Sequence, residues 1–459
     1  MALPLALRSV SPPWALGLAL ALAAMAPGAS AQQALPRFDA ATHLGVASCA
    51  GPCHARQSAL GVATGPAMRG SEIVVWQDQD TTRGRHAQAY NVLIGARGRD
   101  MGRKLGIAPE RSAECLSCHA DFVPSAKRGA RFQLSDGVSC ESCHSGAEKW
   151  LTSHYAPEAT HAQNIANGMF PTDNIEARAR LCASCHVGSA AADQFVTHRI
   201  MGAGHPRLSF ELELFTSLQA HHVEDADYAA RKPLQSRARV WAIGQAVAAR
   251  TAVDLFVRSE RARTDAFPEL SFYDCHSCHR PISDRADYRS RWQPNPGRGL
   301  GPGVAPFNDA NLTVLSAAAK AFAPSLAGDL DARTKAFHAS AAGSADDRRR
   351  AGEALSATLS QLIRAFNAAA ISSERADAAL RGVVDAAQAE RYTSYGAAEQ
   401  AVMAIDSLTR SGADMGGARA ARATRLRSSI DAAYRAVSDP NSYDVDAFRG
   451  AVAEIAAKL

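Results

Sequence analysis

Apolar residues recur at helical spacing along the C-terminal third of the sequence. In the segment EALSATLSQLIRAFN, the residues Leu355, Leu359, Leu362 and Phe366 return every three or four positions, which is the period of one helix face. EQAVMAIDSL and DAFRGAVAEIAAKL continue the pattern, while GSADD, SSERADAAL and SDPNSYDVDAF supply capping and turn residues. We therefore predict four or more helices packed as a bundle over residues 307–459.

The N-terminus carries an uninterrupted apolar run behind a single charge. The run extends over thirteen residues from Trp14 to Ala26, after Arg8, and is followed by the small-residue triplet ASA. This order is typical of a secretory signal, and thirteen residues are fewer than the about 20 that span a bilayer. We expect residues 1–31 to be a signal peptide cleaved after about Ala31, which leaves a periplasmic mature chain without a membrane span.

Residues 294–306, PNPGRGLGPGVAP, separate two parts of different composition. Four prolines and four glycines stand in these thirteen positions, a composition typical of a linker. All ten cysteines precede it, and a single histidine, His338, follows it. The predicted fold is mainly α: a loop-rich domain over 32–293, the linker, and the helical bundle over 307–459.

The cysteines form five pairs, and a histidine follows each pair at once. Four pairs read Cys-x-x-Cys-His (CLSCH, CESCH, CASCH and CHSCH), while the first, CAGPCH, has one more residue between the thiols. In chain order the five motifs are Cys49, Cys53 and His54; Cys115, Cys118 and His119; Cys140, Cys143 and His144; Cys182, Cys185 and His186; and Cys275, Cys278 and His279.

This spacing is typical of covalent haem attachment. Two thiols on one side of a helical turn can add to the two vinyl groups of one haem, and the next histidine then faces the iron. A zinc site would need two such pairs around one ion, and a redox disulfide usually occurs once per domain. The four regular motifs are therefore predicted to bind haem c and its iron. At Cys49 and Cys53, a haem and a local disulfide both remain open from the residues alone.

A haem iron has a second axial position, and ten histidines stand outside the motifs to fill it. His205 precedes Pro206, which predicts a helix that begins there and carries Phe210 and Leu214 on one face. His43 and His198 are left open, while His161, His276 and His338 are disfavoured. The candidates for the distal ligands are His86, His154, His205, His221 and His222.

The stretch DGVSCESCHSGAEKWLTSH, which ends at His154, resembles the third haem-binding segment of the tetrahaem cytochrome c-554 family. The order of an early motif, a segment with Trp76 and His86, and then ECLSCH, GVSCESCH and RLCASCH is similar too. The resemblance covers about residues 40–190 and implies a helical, loop-rich electron carrier of the periplasm with stacked haem pairs. It also implies a haem at Cys49–His54, and hence five haems. The extra residue in the first motif, the fifth motif and the C-terminal extension depart from the family.

These observations favour a periplasmic multihaem cytochrome that passes single electrons between periplasmic or membrane-bound redox proteins. The alternative is an oxidoreductase acting on hydroxylamine, nitrite or a tetrathionate-class compound at one five-coordinate haem. A haem-based sensor or assembly subunit ranks last. The net charge of +5 comes from mixed signs, without the dense basic stripe that nucleic-acid binding requires. Partner docking or oligomer formation through the helical part and a passive extension of the fold both remain open.

Overall fold

The structure, a computed structural model, describes residues 33–50, 54–55, 71–191, 193–221, 234–258, 268–279, 298–300, 304–389, 391–414 and 416–459. Within it, Leu35–Leu459 forms one compact unit. The regular elements of the described ranges are helices, and β pairing there is limited to isolated bridges, His43 with Arg128 and Tyr273 with Phe307. The predicted mainly α fold is confirmed.

Short helices joined by loops and 3-10 turns make up the part that carries the motifs. A small apolar cluster of Val46, Ile73, Trp76 and Ala87 packs against Cys49 and Cys140, and a second one, around Leu93 and Leu116, packs against Cys115. The helices are α1 (Glu72–Trp76), α2 (Ala89–Ile94), α3 (Ala96–Leu105), α4 (Ala113–His119), α5 (Cys140–His144), α6 (His161–Ala166), α7 (Ile175–His186), α8 (His198–Ala203) and α9 (Leu212–Leu218).

Longer helices follow. Leu355, Leu359, Leu362 and Phe366 are fully buried along one helix face, as their spacing predicts. Ser344, Ser372 and Asp444 accept hydrogen bonds from backbone N–H groups at helix starts, where such caps stabilise a helix. The helices are α10 (Arg237–Arg258), α11 (Cys275–Cys278), α12 (Ala310–Phe322), α13 (Pro324–Ala339), α14 (Ala345–Ala368), α15 (Ser373–Gln388), α16 (Tyr395–Ala413), α17 (Gly417–Ala436) and α18 (Val445–Lys458).

Helix α10 lies at the centre of the largest hydrophobic core. It packs against α7 and α9 of the motif-bearing part and against α12, α14 and α16 of the later part. Trp241, Ile243, Ala246 and Val253 are fully buried within it. It is also the one helix in the described ranges that is long and apolar enough to cross a membrane, but 78% of its most apolar window is buried inside the protein. Its apolar composition is therefore explained by its place in the core.

The predicted division at residues 294–306 falls where part of the chain lies outside the described residues. Around this segment, Asp274 N–H donates to the carbonyl of Pro306 (2.9 Å), and Asn308 N–H donates to that of Phe272 (2.8 Å). One hydrophobic core includes Ala179 of α7, α10 and the helices after residue 307. The boundary itself stays a prediction.

Candidate functional site

The regular motifs lie on single helical turns, as the spacing of their thiols requires. Helix α4 ends at His119, α5 spans Cys140–His144, and α7 ends at His186. In α5, the hydroxyls of Ser139 and Ser142 form a capping box, which fixes the first turn at the first cysteine. In the fifth motif, the carboxylate of Asp274 accepts from His276 N–H and begins α11. Cys53 lies outside the described residues.

Each motif histidine faces one histidine from elsewhere in the described chain. These partners come from four different segments, so that the five pairs are formed only when the chain folds. The distances between ring centres are 6.3 Å for His54 and His154, 6.2 Å for His186 and His86, 6.2 Å for His119 and His205, 6.5 Å for His144 and His221, and 5.9 Å for His279 and His198.

These separations fit an iron held between two imidazoles. An iron–nitrogen bond of about 2.0 Å on each side, with about 1.15 Å from nitrogen to ring centre, places two ring centres about 6.3 Å apart. Rings in direct stacking or edge contact also lie about 4.5–7 Å apart, so the distance alone does not distinguish an iron site from direct packing of two rings. Every motif histidine is paired with a separate second histidine, and this repetition favours iron sites over ordinary packing.

Hydrogen bonds at Nδ1 orient several of these rings. Nδ1 of His119 donates to the carbonyl of Ala89 (2.9 Å), and that of His205 donates to the carbonyl of Pro206 (2.7 Å). Nδ1 of His54 lies 3.2 Å from Oε2 of Glu72. With the proton on Nδ1, Nε2 keeps a free lone pair and can bind a metal.

Burial keeps the most enclosed pair neutral. It lowers the pKa of both His86 and His186 to about 4; the nearby His221 adds to the lowering for His86, and the nearby His86 and His119 add to it for His186. The ring of His186 also stacks on Phe210, with ring centres 5.4 Å apart. A neutral imidazole is the form that ligates iron, so this environment suits the pair to that role.

Cysteines of different motifs lie against one another. The thiols of Cys49 and Cys140 are within hydrogen-bonding distance, and so are those of Cys118 and Cys185. Burial raises the pKa of Cys143 to about 12, and the nearby Cys182 and Cys185 contribute to the rise. The nine cysteines of the described ranges are free of disulfides. The motifs thus lie near one another in the order first, third, fourth, second.

Helix α8 connects the fifth motif to this series. Its first residue, His198, faces His279, and His205, just beyond its end at Ala203, faces His119. The sequence left His198 open. Two features of the sequence could have identified it as a distal candidate. It lies one short helix before His205, and the fifth motif needs a fifth distal histidine.

The fifth motif rests on the helices after residue 307. Nε2 of His276, inside the motif, donates to the carbonyl of Pro440 (2.8 Å). The His276 ring lies 5.9 Å from that of Tyr395 and 6.4 Å from that of Tyr443, measured between ring centres. These contacts account for His276 without an iron.

His43 lies in a buried network and faces no motif histidine. Its Nδ1 is 2.9 Å from Oδ2 of Asp121, and its Nε2 is 3.5 Å from Oδ2 of Asp39. Burial opposes protonation, but hydrogen bonds with Asp121 and Asp39, and their charges, outweigh it and raise the pKa of His43 to about 10. A ring that is protonated on both nitrogens at neutral pH has no lone pair for iron.

Glu141, inside the third motif, belongs to the same cluster. The ligand atoms of His43, Asp121 and Glu141 lie close enough to surround one ion. However, the Glu141 carboxylate already accepts from the backbone N–H groups of Leu44 (2.8 Å), Gly45 (2.7 Å) and Ala147 (2.7 Å). The cluster is therefore a hydrogen-bonded network that fastens the segment before the first motif to the third motif.

The remaining histidines have other partners. Nε2 of His161 lies 3.0 Å from Asp173 at the surface, and Nε2 of His338 lies 2.9 Å from the buried Asp309. His222 lies outside the described residues, whereas its neighbour His221 faces His144.

The helix predicted to begin at Pro206 is wrong in its position. Residues 205–211 are non-helical, and α9 begins at Leu212. The carboxylate of Glu211 accepts from the N–H groups of Glu213 and Leu214, which caps the helix there. Pro206 instead lies in the non-helical segment, where its carbonyl accepts a hydrogen bond from the ring of His205.

Residues 72–145 match the cytochrome c554 and c-prime family. This stretch resembles cytochrome c554. The match runs from α1 to the end of the third motif and lies within the 40–190 range that the motif order indicates. It supports a c-type cytochrome with covalently bound haem c and iron, working in electron transfer or redox chemistry. Among the curated proteins and solved structures compared, none matches this chain.

Proposed function

We propose that this chain is a periplasmic multihaem cytochrome that passes single electrons along five covalently bound haems. The likeness to cytochrome c554 supports haem c chemistry, and the apolar N-terminal run supports export. The observation that carries the proposal is the set of five histidine pairs, each made of one motif histidine and one distal histidine, at separations of 5.9–6.5 Å.

Haem c supplies reversible one-electron chemistry at its iron when bound. The motif cysteines would hold it through thioether bonds, and the two histidines of each pair would fill both axial positions. The hydrogen bonds that Nδ1 of His119 and of His205 donate to backbone carbonyls fix the tautomer that leaves Nε2 unprotonated. Glu72, beside His54, raises the pKa of that ring, which strengthens it as a donor.

The contacts between motifs support a continuous electron path. Cys49 lies against Cys140, Cys143 lies near Cys182, and Cys185 lies against Cys118. Helix α8 then joins the second site to the fifth. The proposed path therefore runs through the first, third, fourth, second and fifth sites, an order that differs from their order in the sequence.

The alternative, an oxidoreductase with a five-coordinate haem, finds no support in the described residues. Such a site needs a motif histidine that faces an open position. Instead, the two motifs that depart from the family pattern, the fifth and the first, each have a distal partner, His198 and His154.

Haem count and spin state together test the proposal. Pyridine haemochrome analysis of the purified holoprotein should give five haems per chain, and electron paramagnetic resonance of the oxidised form should give five low-spin ferric signals. A high-spin signal that changes on addition of nitrite or hydroxylamine would contradict the carrier and favour the enzyme.

The first motif has its own test, because its loop has an extra residue. The double substitution Cys49→Ala and Cys53→Ala should lower the haem count from five to four and leave the other signals in place. An unchanged count would mean that these cysteines do not attach haem and would favour the local disulfide.

A further inference from the structure

Helices α3 and α8 together form a basic surface next to the second and fifth sites. Its cationic side chains are solvent-exposed, and Asp100 is the one carboxylate in the two helices. We name this surface the α3–α8 face; its cations are Arg97, Arg99, Arg103, Lys104 and Arg199.

Hydrogen bonds between the two helices bring these cations together. Arg97 donates to the carbonyl of Gly204 (3.1 Å from Nε), and Nζ of Lys104 lies 3.3 Å from the carbonyl oxygen of Ala203. In the other direction, Arg199 donates to the carbonyl of Leu105 (3.0 Å). The positive charges of one helix thus lie beside the C-terminal end of the other.

Little of this charge is neutralised within the face. Asp100 contacts both Arg103 (2.8 Å) and Lys104 (2.9 Å), so that one carboxylate is shared by two of the five cations. By contrast, Arg349 and Arg350 on α14 pair with Asp346 and Asp347 in the same turn. The α3–α8 face therefore keeps a net positive charge.

The same face holds two of the distal histidines. His198 begins α8 and His205 follows it, and Arg97 is close enough to His205 to act on it electrostatically. His198 in turn faces His279 of the fifth motif. The α3–α8 face thus lies beside two neighbouring sites of the proposed path.

We propose that the α3–α8 face docks an acidic electron-transfer protein, which exchanges one electron with the second or the fifth site. This inference rests on the proposed function and adds the position of the docking surface and the charge of the partner. Opposite charges speed diffusional encounter and orient the two proteins, and salt weakens both effects.

The probe is an acidic flavodoxin in its hydroquinone form, mixed with the oxidised holoprotein in a stopped-flow instrument. In each transfer one electron leaves the anionic flavin hydroquinone, which becomes the neutral semiquinone, and one ferric site becomes ferrous. No proton or further reactant is needed. We expect the second-order rate constant to fall about ten-fold or more between low salt and about 0.3 M salt.

A double variant with reversed charges tests whether the salt-dependent rate arises at the α3–α8 face. Arg99→Glu and Arg103→Glu change exposed cations that lie outside the contacts holding α8, and should lower the low-salt rate by about ten-fold and remove most of its salt dependence. The matched control, Arg333→Glu with Arg425→Glu, makes the same change in net charge at exposed positions of α13 and α17. Its rate should stay within about two-fold of the wild type.

Two further readouts separate this inference from the proposed function. Dithionite, a small reductant, should reduce every haem in both variants; a protein without reducible haem would refute the proposed function itself. Hexaammineruthenium(II), a cation, should react faster with the reversed face. Equal flavodoxin rates in the two variants, or a wild-type rate independent of salt, would overturn the docking surface and leave electron carriage intact. The docking surface would also be overturned if the face bound anionic phosphatidylserine vesicles while the charge reversal left the flavodoxin rate unchanged.

Discussion

His119 and His205 show how a single hydrogen bond prepares a side chain for iron. Each donates from Nδ1 to a backbone carbonyl, so that Nε2 carries the lone pair and the two rings face each other across 6.2 Å. His43 shows the opposite outcome, a ring without a free lone pair, because a carboxylate lies beside each of its two nitrogens. The partners of Nδ1 and Nε2, rather than burial, separate the candidate ligands from a structural histidine.

Replacing a distal histidine should change spin state without changing haem number. In the His198→Ala variant, His279 would be the remaining axial ligand at the fifth site, so we expect five haems per chain and one new high-spin signal. His161→Ala is the control, since that ring contacts the exposed Asp173. A fully low-spin spectrum from His198→Ala would contradict the assignment of this histidine.

His43 should make the stability of the holoprotein depend on alkaline pH. Its pKa is about 10 in the folded chain and about 6.5 when unfolded, so its stabilisation is complete below about pH 6.5. It is then lost as pH rises towards about 10. Urea midpoints should therefore fall more steeply between pH 7 and pH 10 for the wild type than for His43→Gln. The variant should be less stable at pH 7, since Asp39 and Asp121 lose their buried partner. Parallel pH profiles would show that His43 is not charged.

The sequence predicts the covalent half of each site better than the distal half. Cys-x-x-Cys-His is a local pattern, and the structure shows it as one helical turn at Cys140–His144. The partner of His144, by contrast, is His221, and no local rule joins two segments so far apart. The excess of histidines predicts that partners are available, while the choice between His221 and His222, or between His43 and His198, depends on tertiary contacts.

At the scale of elements, α10 allows the motif-bearing helices and the later helices to share one core. Small residues bring its neighbours close: a Cβ at Gly244 would lie 2.4 Å from Cβ of Leu212 on α9, and one at Gly352 of α14 would lie 2.4 Å from Cγ1 of Val257. Helical period predicted α14 correctly, because its core face is continuous. The start of α9 was missed because the capping side chain of Glu211, and not Pro206, sets it.

Adding one methyl group at the α9–α10 contact should destabilise the protein. Gly244→Ala forces Leu212 and its backbone to move, which should cost about 1–3 kcal/mol of unfolding free energy, more than the about 1 kcal/mol gained in helix propensity. Gly450→Ala on α18 is the control, since a Cβ there meets nothing within 4 Å. That substitution should stabilise the protein by about 0.5–1 kcal/mol. Urea denaturation followed by circular dichroism measures both; stabilisation by Gly244→Ala would contradict the close contact.

At the scale of the whole molecule, the helices after residue 307 support the fifth site and the common core. Pro440, Tyr395 and Tyr443 surround His276, and the charged groups of Arg207 and Glu399 pair beneath Tyr395. The sequence predicted these helices from their period, but their role as a support for the fifth motif depends on contacts that composition does not encode.

Since one core includes residues from both parts, we expect the holoprotein to unfold as one unit. Urea transitions followed by far-ultraviolet circular dichroism, dominated by the long helices, and by haem absorbance should share one midpoint. Limited proteolysis should yield no stable fragment over residues 307–459. Two separate transitions would instead support the division of the chain at residues 294–306.

The order of the histidine pairs along the chain has a consequence for biogenesis. In a chain that is exported from its N-terminus, His86 and His198 emerge before the motifs that they face, so the fourth and fifth sites can close as soon as haem is attached. The motifs of His54, His119 and His144 emerge before their partners His154, His205 and His221, so these three sites can close only later. During that interval their haems would have one protein ligand and an open coordination position. For an exported five-haem chain, we therefore expect a chaperone, or rapid export, to protect the irons of the early half until the later half arrives.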